Sequence, residues 1–188
     1  DHHISAINKY KDYPHKIDGL RLNGAAGCLL TYFYLLCMVD QNGNQVSVFP
    51  EIVSTALDSC DAENAQEILV KVLKALNYEV PAATLMVADW DLWKFKYCDT
   101  KAFHTGFSTV PHAPENSIWD SIQDKAQEEC KITNDIIAEG EIILTYRRSW
   151  MRDYCESIGF DAVFAASQFR EYRCFAVNIA KISSDDFF

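Results

Sequence analysis

The stretch Asn23-Gly24-Ala25-Ala26-Gly27-Cys28-Leu29-Leu30-Thr31-Tyr32-Phe33-Tyr34-Leu35-Leu36-Cys37-Met38-Val39 decides how this chain folds. Thr31 and the tyrosines interrupt its apolar residues, and no run approaches the roughly 18 that a membrane span requires. Ala26, Leu30, Phe33 and Cys37 recur at three- and four-residue spacing, which puts them on one face of an α-helix. Asn23 is placed to cap that helix, and the small glycines beside it permit close approach by another backbone.

Working outward, residues 41–44 form a turn, and Pro50 starts a helix to about Leu57. Asp61 caps the next helix, whose apolar stripe is Ala65, Ile68, Leu69, Val72 and Leu76. Pro81 opens a short helix over 82–88 that delivers Asp89-Trp90-Asp91. A loop follows with Asp99-Thr100 and the 111–114 segment. Residues 117–131 then read as an amphipathic helix, and Thr133 starts a longer one through Ile143 and Arg152. Residues 162–166 and 172–180 read as two strands joined by a polar turn at 168–171, and Ser183 caps a last helix. Upstream, 4–20 are polar and mixed, ending in the Asp18-Gly19 turn. Helices give way to strands near 145–160.

Composition bounds the function. The chain has 188 residues, 49% of them hydrophobic, which fits one domain or one and a half and excludes a disordered chain. Its formal charge is −10. Long duplex nucleic acid is bound through released counterions and needs a basic face, but here Arg147-Arg148 is the only adjacent basic pair. A phosphate ester then requires a metal ion to supply positive charge. Seven cysteines, an odd number with no CxxC pair, read as free thiols in a reducing cytoplasm. No leader marks the chain for export, and no membrane partner is expected.

Two constellations carry candidate chemistry. Asp1-His2-His3 offers adjacent imidazoles that point in different directions, one toward a metal and one toward a substrate, with the carboxylate fixing a tautomer. The plain alternative is a tag-derived His-His. Asp89 and Asp91, beside Trp90 and Trp93, are two partly dry carboxylates suited to a hard divalent cation. The plain alternative is a solvated loop in which Asp89 caps a following turn. His15, His104 and His112 read as surface or turn histidines. Ser54, Ser108 and Ser149 lack a nucleophile elbow. Glu139 and Glu141 read as solvated surface around a glycine. The cluster Trp90, Trp93, Phe95, Tyr97 and Phe103 is either core or a base-stacking surface.

Taken in order, Asp1-His2-His3, the following Ser-Ala, Ala-Gly-Cys-x-Leu-Thr at 26–31, Ala-Asp-Trp-Asp-Leu-Trp at 88–93 and Asp-Thr-Lys-Ala-Phe at 99–103 resemble the DHH phosphoesterase family. The similarity is to its nanoRNase and cyclic-nucleotide phosphodiesterase branch and covers nearly the whole chain. It implies an α/β fold. Residues 1–150 would be the C-terminal, mostly helical part of a Rossmann-like parallel-sheet domain. Residues 151–188 would be a linker and the first strands of a smaller, DHHA1-like α/β domain. It also implies a two-manganese site, with magnesium able to substitute. His2 would be a metal ligand, His3 would contact the substrate phosphate and Asp1 would orient them. Asp89 would be the carboxylate ligand of the family's fourth motif, with Asp91 as second choice.

The activity implied is manganese-dependent hydrolysis of a small phosphodiester or short oligonucleotide by metal-activated hydroxide, in the cytoplasm, with a homodimer allowed. The family's other metal-ligand motifs precede its Asp-His-His, so these residues read as the middle of an enzyme, inactive alone. The alternative is a non-catalytic α/β interaction or assembly module, a degenerate relative.

Overall fold

A computed structural model describes residues 4–11, 19–38, 51–122, 130–164 and 172–176. Its elements are α1 (Ile4–Lys11), α2 (Gly27–Cys37), α3 (Glu51–Ser59), α4 (Ala65–Ala75), α5 (Ala82–Asp91), α6 (Thr100–Phe107), α7 (Ile118–Ile122), α8 (Lys131–Ile158), β1 (Phe160–Phe164) and β2 (Tyr172–Ala176). The fold is mostly helical, as expected. Among the described residues the sheet is a two-stranded antiparallel pair, with Phe160 opposite Ala176 and Phe164 opposite Tyr172. No parallel strand of a Rossmann-like sheet is present among them.

Two apolar cores lie on either side of α5. One gathers Leu29, Leu30 and Phe33 of α2, Val53 of α3, and Leu69 and Leu73 of α4, with Ala88 of α5. The other gathers Ala83 and Met86 of α5 with Phe103, Ile118, Ile122 and Ile136. A helix apolar on nearly every side needs burial on most of them, and α5, which leaves Val87 and Asp91 exposed, is the wall both cores share.

The expected stripes of α2 and α4 are largely buried: Ala26, Leu30, Phe33 and Cys37 on the first, Ala65, Leu69 and Val72 on the second. Ile68 and Leu76 are only partly so. Asp61 does cap the turn entering α4. Its Oδ1 accepts from the Glu63 and Asn64 amides at 2.8 and 2.9 Å, while Asn64 Oδ1 accepts from the Asp61 amide at 2.9 Å. At the other end Asn77 adopts φ 61°. The Tyr78 amide donates to the Leu73 carbonyl and the Asn77 amide to that of Lys74, a Schellman closure that a sequence with no glycine there does not announce.

Several expectations need correcting. Asn23 does not cap α2. Ala26 occupies that position with no side-chain cap, and the Ala26 amide reaches Gln66 Oε1 at 3.5 Å. Gly24 does permit the expected close approach: at φ 86°, a Cβ there would sit 2.1 Å from the Ala62 carbonyl oxygen. Pro81 is the residue before α5 rather than its first, and the helix runs on through Asp91. Residues 100–107, read as loop, form α6. The 117–131 helix is not continuous, because Cys130 is extended and α8 begins at Lys131. α8 runs 28 residues to Ile158, and helices give way to strands at Phe160, within the 145–160 window expected. β1 starts two residues earlier than read, and Pro50 and Ser183 lie outside the described residues.

Gly140 is buried, so Glu139 and Glu141 straddle a packing contact. A Cβ on Gly140 would lie 1.8 Å from the Ala102 carbonyl oxygen, and one on Gly106 would lie 2.0 Å from that of Ile136. Helices α6 and α8 therefore meet backbone to backbone, which glycine alone allows.

Candidate functional site at the corner between α5 and α6

The chain turns sharply between α5 and α6, and Asp89 fixes that turn. It lies in the last turn of α5 and is fully buried. Its Oδ1 accepts from the Lys96 amide at 2.9 Å. Its Oδ2 accepts from the Tyr97 amide at 3.2 Å and from the Thr100 hydroxyl at 2.6 Å. The Lys94 amide donates to the Asp89 carbonyl at 3.1 Å. Asp99, in the N-cap position of α6, makes no capping bond with its side chain. Asp89 therefore caps the approach to α6 from a neighbouring helix, a favourable place for negative charge.

The loop so held is strained. Trp93 and Phe95 adopt φ of 53° and 47°, the left-handed region that bulky side chains disfavour by about 1–2 kcal/mol each. Its aromatic rings form one group. Trp93 lies 5.8 Å from Trp90 and edge-on to Phe95 at 5.5 Å. Trp90 stacks on His104 at 3.8 Å and 8°. Lys101 Nζ sits 5.0 Å over the Phe95 ring. Partial burial holds the His104 imidazole below its ordinary pKa.

Residues 89 and 91 are two apart on a helix, so they face different directions. Asp89 points inward and Asp91 is exposed. The two carboxylates expected to serve a divalent cation thus differ in placement, one buried and one exposed. Asp91 is near enough to Cys28 to raise its thiol, a minor contribution beside the burial that pushes Cys28 up to about 11. Burial also pushes Cys37 to about 11, which fits an inert apolar role. Among the described residues no three His, Cys, Asp or Glu side chains come together to hold a metal ion. An ion at Asp91 would need further ligands from elsewhere. No helix among the described residues is long and apolar enough to cross a membrane.

Asp1, His2, His3 and His15 lie outside the described residues, so the expected meeting of His2 with Asp89 does too. His112 Nδ1 is 2.7 Å from the Val110 carbonyl, a turn contact, as expected. His104 is instead a member of the aromatic group. Ser108 donates to the Thr105 carbonyl at 2.7 Å, and no base is positioned for it. Of the aromatic cluster, Phe103 is core, whereas Trp93 is 58% exposed. No family model, curated protein or solved structure matches the chain.

Sequence reading passed over the lysines of this corner. Lys71 on α4 and Lys94 and Lys96 on the loop line an open groove of about 190 Å³ with Glu67, Val70 and Tyr97. Glu67 is ion-paired to Lys96. That bond, then the charges of Lys96, Lys71 and Lys94, hold the Glu67 carboxyl below its ordinary pKa. The alternation Trp-Lys-Phe-Lys at 93–96 was the available signal.

Proposed function

We propose that this chain is part of a metal-dependent phosphodiesterase of the DHH type, acting on short oligonucleotides or related small phosphodiesters in the cytoplasm. The observation that carries this reading is the division of labour in Ala-Asp-Trp-Asp-Leu-Trp. Asp89 is buried and bonded into the corner, whereas Asp91, two residues on, is exposed. The geometry favours Asp91 over Asp89 as the carboxylate offered to manganese, with magnesium as substitute. His2 joins it as ligand, Asp1 orients the imidazoles and His3 contacts the phosphate. Bound ions would supply a low-pKa water and offset the phosphoryl charge, which a chain of net charge −10 does not do itself. The Rossmann-like sheet, the DHHA1-like second domain and a homodimer belong to this same proposal.

The test is hydrolysis of bis(p-nitrophenyl) phosphate by the full-length gene product with manganese. His2→Ala should remove most turnover while leaving the circular dichroism spectrum unchanged, and Asp91→Asn should raise the manganese concentration needed for half-maximal rate more than Asp89→Asn does. Full turnover by the His2 variant would end the metal-ligand assignment.

A second reading, a non-catalytic assembly module, is favoured by one observation. Ile142, Tyr146 and Trp150 form an exposed row at four-residue spacing along α8. Absence of manganese-dependent turnover, with a concentration-dependent dimer that Tyr146→Glu dissolves, would favour it.

A further inference from the structure

The corner loop alternates aromatic residues and lysines in sequence, Trp93-Lys94-Phe95-Lys96, and the groove that Lys94 and Lys96 line with Lys71 is a local exception to the charge of the chain. Its rim carries three lysines against one glutamate, and Lys71 and Lys94 make no ion pair among the described residues. Trp93 leaves more than half of its surface in water while Trp90 and Phe95 fix the orientation of its ring. Apolar surface held outward on a left-handed backbone, by bonds from a buried carboxylate, is costly to maintain. Backbone strain of that kind collects where a ligand is bound.

We infer that residues 93–96 form a subsite for one nucleotide unit of a single-stranded oligonucleotide, with its base stacked on Trp93 and the adjoining phosphate in the groove of Lys71, Lys94 and Lys96. A π-face accepts any base, and a lysine point charge accepts any phosphate, so the subsite reads polymer type rather than sequence. Trp93 and Lys94 are chain neighbours, so the inference puts the stacked base and its phosphate on adjacent residues of one loop. The small basic area admits one or two phosphates and leaves a longer strand against acidic surface. The inference rests on the phosphodiesterase reading for its substrate class and requires no metal for binding.

The experiment is fluorescence anisotropy of a fluorescein-labelled trinucleotide with the full-length protein in EDTA. Wild type binds. Trp93→Gly, which suits the positive φ and so keeps the loop, weakens binding about 5- to 100-fold, while Trp150→Ala, at an exposed tryptophan of α8 stacked on Tyr154, changes nothing. Lys71→Ala with Lys94→Ala lowers the slope of log affinity against log salt by about 1.4 if both neutralise phosphates. Unlabelled trinucleotide competes well and tripolyphosphate poorly.

Equal binding by wild type and Trp93→Gly, an unchanged salt slope, or equal competition by tripolyphosphate overturns the subsite. Manganese-dependent hydrolysis of bis(p-nitrophenyl) phosphate without trinucleotide binding defeats the subsite and leaves the phosphodiesterase standing. Binding without hydrolysis does the reverse.

Discussion

Removing the acceptor at Asp89 should loosen the corner and destabilise the protein by an amount that can be worked from its bonds. The carboxylate takes two backbone amides and one hydroxyl. Hydrogen bonds to a charged group contribute about 1.5–3 kcal/mol each, and orphaned donors cost about 1–3 kcal/mol. Lys96 and Tyr97 are exposed residues, so water can reach their amides once the loop opens. Thr100 is fully buried, but its hydroxyl can rotate. The lower end of each range therefore applies, giving about 3–4.5 kcal/mol for Asp89→Ala. Asp89→Asn keeps one acceptor oxygen and turns a donor toward a donor, costing about 2 kcal/mol.

The same bonds offset two left-handed aromatics at about 1–2 kcal/mol each, so Trp93→Gly should return about 1 kcal/mol to the Asp89→Asn protein. Urea unfolding followed by circular dichroism reads these changes. At a slope of about 2 kcal/mol/M, Asp89→Ala lowers the midpoint by about 1.5–2.25 M. Limited trypsin should cut after Lys94 and Lys96 in the variants long before wild type. An Asp89→Ala midpoint within about 0.3 M of wild type, with those lysines still protected, would refute the account of the corner.

Gly140→Ala should cost more than about 3 kcal/mol, because the added carbon meets carbonyl oxygen that cannot move without parting α6 from α8; urea unfolding measures it. Cys98 is exposed, and Asp99 holds its thiol above the ordinary pKa, first by accepting its hydrogen bond and then by charge. Asp99→Asn should therefore speed iodoacetamide labelling of Cys98 at pH 8, while Cys28 and Cys37 stay unlabelled in the folded protein; peptide mass spectrometry separates the sites. The depressed imidazole of His104 fixes the sign of a pH effect. As pH falls below the ordinary histidine value the unfolded chain takes up the proton first, so stability drops until the folded-state pKa is passed. His104→Phe, which keeps the stack on Trp90, should flatten the loss of urea midpoint between pH 7.5 and 5.5.

Where the signal is local or periodic, the sequence was legible. Phe33 and Leu69 sit where their periodicity puts them, and Asp61 caps as its spacing from the following apolar run suggests. The β1–β2 pair was visible as two apolar runs around a polar turn. Helix α6 was not, because Thr-Lys-Ala-Phe-His-Thr-Gly-Phe is only 8 residues long and has a glycine inside it. That glycine is explained by the backbone of α8, about thirty residues away in the chain. Asp89 as the cap of a following turn was one of the two readings open in the sequence, but a DxD pattern has no means of saying which residue faces inward, since that depends on where α5 ends.

The length of α5 is what couples fold to site. Had the helix stopped at Ala88, Asp89 would be a loop carboxylate free to point outward with Asp91, as the sequence alone suggested. Three more helical residues turn Asp89 inward, between the two cores that α5 already serves, where an ionised carboxylate persists only with donors around it. Among the described residues its side-chain donors all belong to the chain that follows, so the next eleven residues fold back on Asp89 through Thr100. Trp93 and Lys94 lie inside that closed segment and are pushed to its rim. The exposed aromatic and basic surface is thus a consequence of satisfying one buried charge. That is why a change at Asp89 should disturb ligand binding through the loop even though its carboxylate never meets the ligand.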